Sequence, residues 1–294
     1  MLKPIRGMEI YIEKEILEKL NKDFLSDNLS LGQKSLREIL TSYSEIKFCT
    51  NFSLDNSELL KYKSENPLFN WITVEALYQS FDSINDFISK SSFKQSIIID
   101  SVENHKNKDL IESKGGLYFT YDNYSQKIEE IIEYFNKKID LSEQFVGWQQ
   151  ILNKTFLKIN EIIINDNYLI NDINNINNYI LPLVKSVKKQ CNLHRIIFIT
   201  DYLNHPNYQK ETKLEILKKE LRTSNIEIFH NNFIGFTNHD RILYTNFLMI
   251  DCPIGFNQTN KRSNSVISIE TIFDKFTYNR RRRHYNKIDI DSYC

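Results

Sequence analysis

Glycine and proline are scarce, with seven and five in 294 residues. Long flexible or polyproline linkers and collagen-like repeats are thereby excluded. Cysteine is scarce too. Cys49, Cys191, Cys252 and Cys294 include no CxxC pair, so no zinc or other metal site is expected and a reduced compartment is. No apolar run approaches the roughly 20 residues of a membrane span. The opening "MLKPIRGMEIYIEKE" lacks the apolar core of a secretory leader, and a cytoplasmic location is expected. Net charge is also missing: 38 basic residues balance 38 acidic ones. The protein as a whole does not attract polyanions, and any nucleic-acid affinity needs a local patch.

What is present suits a soluble globular chain of one large or two ordinary domains. Nineteen Phe and sixteen Tyr supply a sizeable core. The recurrence of Asn, Ile and Lys fits an AT-rich coding sequence and carries no function of its own. In the first half, "MEIYI" (8–12), "EIKFCT" (45–50), "SIIID" (96–100) and "GGLYFTYDN" (115–123) read as strands. "EKEILEKLNKDFL", "SLGQKSLREILTSY" and "SQKIEEIIEYFNKKI" (125–139) have helical spacing. Strands alternating with helices predict an α/β unit over residues 1–140. Its acids Asp100 and Asp122 end strand-like runs, as polar turn residues commonly do. An activity carried by this half through Asp100 is one reading of it.

The second half is more regular. "NEIIINDNYLI" (160–170) is a strand leading into Asp166, and "NNINNYILPLVKSVKKQ" (174–190) is a helix with Pro182 as a kink or early-turn residue. "HRIIFITD" (194–201) is a strand ending at Asp201. "YQKETKLEILKKEL" (208–221) is a helix and "NIEIFH" (225–230) a strand. "NHDRILYTNF" (238–247), "FLMID" and "CPIGFN" follow. The predicted order is β-α-β-α-β and then a hairpin, with the parallel strands joined by crossovers.

Within "NHDRILYTNF", His239, Arg241 and Asn246 are spaced H-x-R-x4-N, and "IGFN" (254–257) adds Asn257 downstream. This spacing resembles the H-x-K-x4-D signature of the phospholipase D superfamily, and the preceding strand–helix pattern is similar to the half-domain that carries it. The resemblance covers residues 145–275. It does not cover residues 1–140. Beside that first α/β unit it implies a second (145–294), phospholipase D-like with a mainly parallel sheet. It also implies metal- and cofactor-free phosphodiester chemistry through a histidine nucleophile, a second histidine as acid, and cationic and amide groups on the phosphate. In an extended strand, side chains alternate, so His239 and Arg241 share a face. Arginine in place of lysine grips phosphate differently. Asn246 in place of aspartate removes a carboxylate, and a second motif is missing. An active form would need two His239 side chains meeting in a homodimer.

The last distinctive stretch is "YNRRRRHYNK" (278–287). Arg280, Arg281, Arg282 and Arg283 offer cations to a phosphate backbone, and Tyr278, His284 and Tyr285 offer rings to bases. The alternative is a solvated charged tail. The sequence therefore reads as a phosphate- or nucleic-acid-binding module with a degenerate site at His239, Arg241, Asn246 and Asn257. A protein partner is a further candidate. The alternative is a dimeric, metal-independent nuclease. A place in bacterial antiviral defence would suit either reading by fold-level analogy.

Overall fold

Buried β-branched runs and capped amphipathic helices build two α/β units in the computed structural model. It describes residues 7–53, 55–91, 95–141, 148, 157–168, 170, 173–188, 195–200, 210–221, 225–230, 241–256 and 265–291. One compact unit is Met1–Glu133 with Phe273–Asn279, and the other is Tyr134–Ile272 with Arg280–Cys294.

The first unit's strands are β1 (Glu9–Ile12), β2 (Lys47–Thr50), β3 (Leu77–Ser80), β4 (Ser96–Asp100) and β5 (Leu117–Thr120). They lie in the order β3-β2-β1-β4-β5, and every pairing is parallel. β1, β4 and β5 are buried along their whole length, as strands covered on both faces must be. The intervening helices are α1 (Lys14–Asp23), α2 (Leu31–Ser42), α3 (Asn56–Glu65), α4 (Pro67–Glu75), α5 (Ile84–Lys90) and α6 (His105–Ser113), and α7 (Tyr124–Phe135) follows β5.

Local chemistry fixes where these helices start. Ser30 and Gln33 form a reciprocal capping box at α2, and Asp55 and Glu58 do the same at α3. Asn66 caps α4, with Pro67 at its first position. Gly32, buried in the first turn of α2, permits a close approach to α7. A Cβ there would lie 2.1 Å from the Ser125 carbonyl oxygen. Its N–H donates to Glu129 Oε1 at 2.9 Å. That bond, and a second from Ser30, hold the Glu129 carboxyl below its ordinary value.

In the second unit, β6 (Lys137–Asp140), β7 (Glu161–Asn165), β8 (Arg195–Thr200), β9 (Ile226–His230), β10 (Ile242–Thr245), β11 (Leu248–Asp251) and β12 (Val266–Thr271) form one sheet. Its order is β6-β12-β11-β10-β7-β8-β9. A helix, α8, runs from Ile173 to Lys188 with a π-helical segment at Ile176–Ile180. Pro182, which lacks the N–H of a regular helical turn, stands just beyond that segment. α9 is Lys210–Leu221 and α10 is Lys275–Asp291. Ile163, Ile197, Ile199, Ile242, Tyr244 and Met249 make a core cluster on this sheet.

Two expectations are corrected. The sheet is mixed: β7-β8-β9 are parallel, but β10, β11, β12 and β6 join by antiparallel pairings. Hairpin connections as short as the one between β10 and β11 can only reverse the chain. The boundary at residue 140 also moves. The helix read through residue 139 stops at Phe135, where its apolar spacing ends, and residues 137–140 become β6 of the second sheet. Asn136 Oδ1 accepts from the Thr271 N–H at 2.8 Å and fixes that turn in place.

Candidate functional site

The resemblance directs attention to the carboxyl ends of β7 and β8, where β10 begins. Asn165 pairs with Ile242 on one side and Ile199 on the other. One position further on, Asp166 leaves β7 and Arg241 enters β10. Asp166 is buried. Its Oδ1 accepts from the Tyr168 N–H at 2.9 Å and its Oδ2 from the Phe256 N–H at 3.1 Å. This one carboxylate fastens the β7 loop to the 253–256 loop. The second loop turns tightly, with the Gly255 N–H donating to the Cys252 carbonyl at 2.9 Å. Gly255 has φ of 90°, a conformation that strains residues bearing a Cβ.

Arg241 sits between these loops, partly exposed. Its guanidinium donates to the Pro253 carbonyl and lies 5.7 Å from the centroid of the Tyr168 ring. Tyr168 itself is 51% exposed. A guanidinium has five N–H donors, so the Pro253 bond orients Arg241 without using up its capacity for an anion. Cys252, buried beside this turn, is no nucleophile at neutral pH. Burial first, then Asp166 and Asp251, push its thiol up to about 12.

The other residues singled out in the sequence fall as follows. His239 and Asn257 lie outside the described residues, as does Asp201. Asn246 is not brought to Arg241. It is wholly buried in the β10–β11 turn, and its Nδ2 donates to the Lys158 carbonyl at 2.9 Å. Five residues of strand, at about 3.4 Å each, put roughly 17 Å between the two. Asn246 is thus a structural residue of the hairpin, and its assignment to the site is withdrawn.

The arginine run is a helix rather than a tail. Residues 275–291 form α10, and consecutive side chains on a helix diverge by about 100°. Arg281 is 4% exposed and its Nε donates to the Thr245 carbonyl at 2.7 Å. Arg280 Nη1 lies 3.6 Å from Asp251 Oδ2. Arg282 is partly buried and Arg283 exposed. The four cations therefore do not present one face to a phosphate backbone. Tyr278 is buried in the first unit, stacked on Tyr43 at 4.6 Å, and its hydroxyl donates to the Ser44 carbonyl. Tyr285 lies on α10, with its side chain outside the described residues.

In the first unit, Asp100 is buried at the end of β4 and Asp122 is exposed in a turn. Sequence reading overlooked Tyr168 and Glu13. An exposed aromatic two residues after the β7 acid was the available signal for Tyr168. For Glu13, it was an acid directly after the run "IYI" that ends β1. Among the described residues, no three His, Cys, Asp or Glu side chains gather to cage a metal ion, and no helix is long and apolar enough to cross a membrane. No protein-family model matches the chain, and no curated protein or solved structure shows significant similarity to it.

Proposed function

We propose that the second unit is a phospholipase D-like binding module that takes a phosphodiester of single-stranded nucleic acid at the carboxyl edge of β7 and β8. The observation that carries this reading is the placement of Arg241 over the exposed Tyr168 ring, with its guanidinium oriented by the Pro253 carbonyl. Arginine grips a phosphate with paired donors, and an exposed ring beside it gives an unstacked base a surface. The β-α-β-α-β-hairpin order supports the resemblance, since it delivers Arg241 to the strand ends where α/β sheets hold ligands. Binding is favoured over turnover because the motif lysine is arginine and the motif acid is a buried amide at the far end of β10.

The test is fluorescence anisotropy with labelled single-stranded DNA and RNA across a salt series. Arg241→Gln is expected to weaken binding and lower the salt slope by about 0.7, the value for one phosphate contact on a single strand. Tyr168→Ala is expected to cost about 1–3 kcal/mol with the slope unchanged. Affinity and slope that both survive Arg241→Gln would overturn the proposal. Chelator-insensitive cleavage lost in His239→Ala would replace it with the nuclease reading.

A further inference from the structure

In the first sheet the chain leaves β1 toward β2 on one side and returns to β4 on the other. The carboxyl ends of β1 and β4 therefore flank the topological switch point, where open parallel sheets form a crevice. Ile12 pairs with Ile99, so the next positions, Glu13 and Asp100, are neighbours across strands spaced about 4.8 Å apart. Side chains alternate along a strand. Glu13 and Asp100 thus share a face with Tyr11 and Ile98, one row nearer the strand ends.

Asp100 is held rigidly in this row. Its Oδ1 accepts from the Ser101 N–H at 2.8 Å and its Oδ2 from the Tyr118 hydroxyl at 2.7 Å. The Tyr118 hydroxyl in turn accepts from the Asn104 N–H at 3.0 Å. Two acceptor bonds leave further lone pairs on the carboxylate. Outer bonds of this kind orient metal-ligating carboxylates. Glu13 carries a raised pKa from burial first and then from the charge of Asp100, with a hydrogen bond from Ser101 acting in the opposite sense.

A second, independent observation comes from Tyr11. Its ring stacks on Phe87 at 5.0 Å, and the residue has no solvent exposure. Its hydroxyl has no hydrogen-bond partner among the described residues. Tyr11 stands on the same face as Glu13 and Asp100, one row behind them. A buried hydroxyl left in this state is destabilising, and a water on a cation held by the two acids would satisfy it. Asp100 also lines an open cleft of about 580 Å³ with Ile84, Asn85 and residues 102–107, the last including the first turn of α6.

We infer that Glu13 and Asp100 form a divalent-cation site of the Mg²⁺/Mn²⁺ class, opening onto the cleft at the start of α6. Such cations use one or two protein carboxylates and complete their shell with water or ligand phosphate. A two-acid site without a third ligand fits that habit. The inference is independent of the reading of Arg241.

Mn²⁺ alone is the probe, titrated into the full-length chain by electron paramagnetic resonance. Wild type is expected to take up one tightly bound ion. Glu13→Gln and Asp100→Asn are each expected to weaken it by more than about tenfold, since even an outer-shell partner is worth 10–100-fold. Tyr118→Phe, which removes such a partner, is expected to weaken it within that range. Thermal melting guards against misfolding: without metal, Glu13→Gln should melt no lower than wild type, because it removes a like charge beside Asp100. Arg241→Gln should leave the titration unchanged. Absence of a bound ion in wild type at millimolar Mn²⁺, or binding that persists in both acid variants, would overturn the inference.

Discussion

Asn246→Asp restores the acid of the H-x-K-x4-D pattern, and it is expected to destabilise the second unit rather than restore chemistry. The residue is wholly buried and its Nδ2 donates to the Lys158 carbonyl. A backbone carbonyl only accepts, so only a donor can face it. An ionised aspartate has none, whereas a protonated one can donate. Keeping the new carboxyl neutral at pH 7 means holding it about three units above its ordinary value of about 3.9, at about 1.36 kcal/mol per unit. The ceiling is therefore about 4 kcal/mol, and local relaxation brings the expected loss to about 2–4 kcal/mol. The sign of the pH dependence follows. The folded-state pKa is raised, so below about pH 4 both states are protonated and the penalty is absent. It then grows as pH rises, until the folded state also ionises. Urea unfolding followed by Trp148, which lies in this unit 5.4 Å from the Phe256 ring, measures the loss at pH 4.5 and pH 7.5. A variant as stable as wild type at pH 7.5, or a deficit equal at the two pH values, would refute the reasoning.

Gly32→Ala should destabilise the first unit although alanine is the better helix former. The new Cβ would meet the Ser125 carbonyl oxygen at 2.1 Å, and overpacking of that kind costs about 1–3 kcal/mol against a helical gain of at most about 1 kcal/mol. Thermal melting checks this, with Lys34→Ala on the exposed side of α2 as control, and a rise in Tm for Gly32→Ala would contradict it. Cys252 should resist alkylation in the native protein at pH 7.5 and react at the ordinary thiol rate only in denaturant, as mass spectrometry of iodoacetamide-treated protein would show.

The parallel strands of the second unit were legible because each is a compact Ile-rich run, and β7, β8 and β9 fall where "EIIIN", "RIIFIT" and "IEIFH" stand. The apolar run after Arg241 is β10. The motif spacing did not reveal that Asn246 sits at the opposite end, because it does not say whether the run stays extended over its whole length. β6 could not be read at all. "KKID" has no strand signal of its own, and its partner Ile267 stands 128 positions beyond Ile139. The arginine run misled in another way. Four adjacent cations suggest one charged surface, but helical geometry sends them in different directions, and the Thr245 carbonyl captures Arg281.

The pairing of β6 with β12 has a consequence for synthesis on the ribosome. At roughly 5–20 residues per second, β6 leaves the exit tunnel about 6 to 26 seconds before the strand that must lie beside it. The first unit waits as well, since Tyr278, which stacks on Tyr43, is translated long after it. Neither unit is complete until these late segments have emerged. Through that interval β6 is without β12, the strand it pairs with. Until then the nascent chain must be kept from pairing with a second copy of itself.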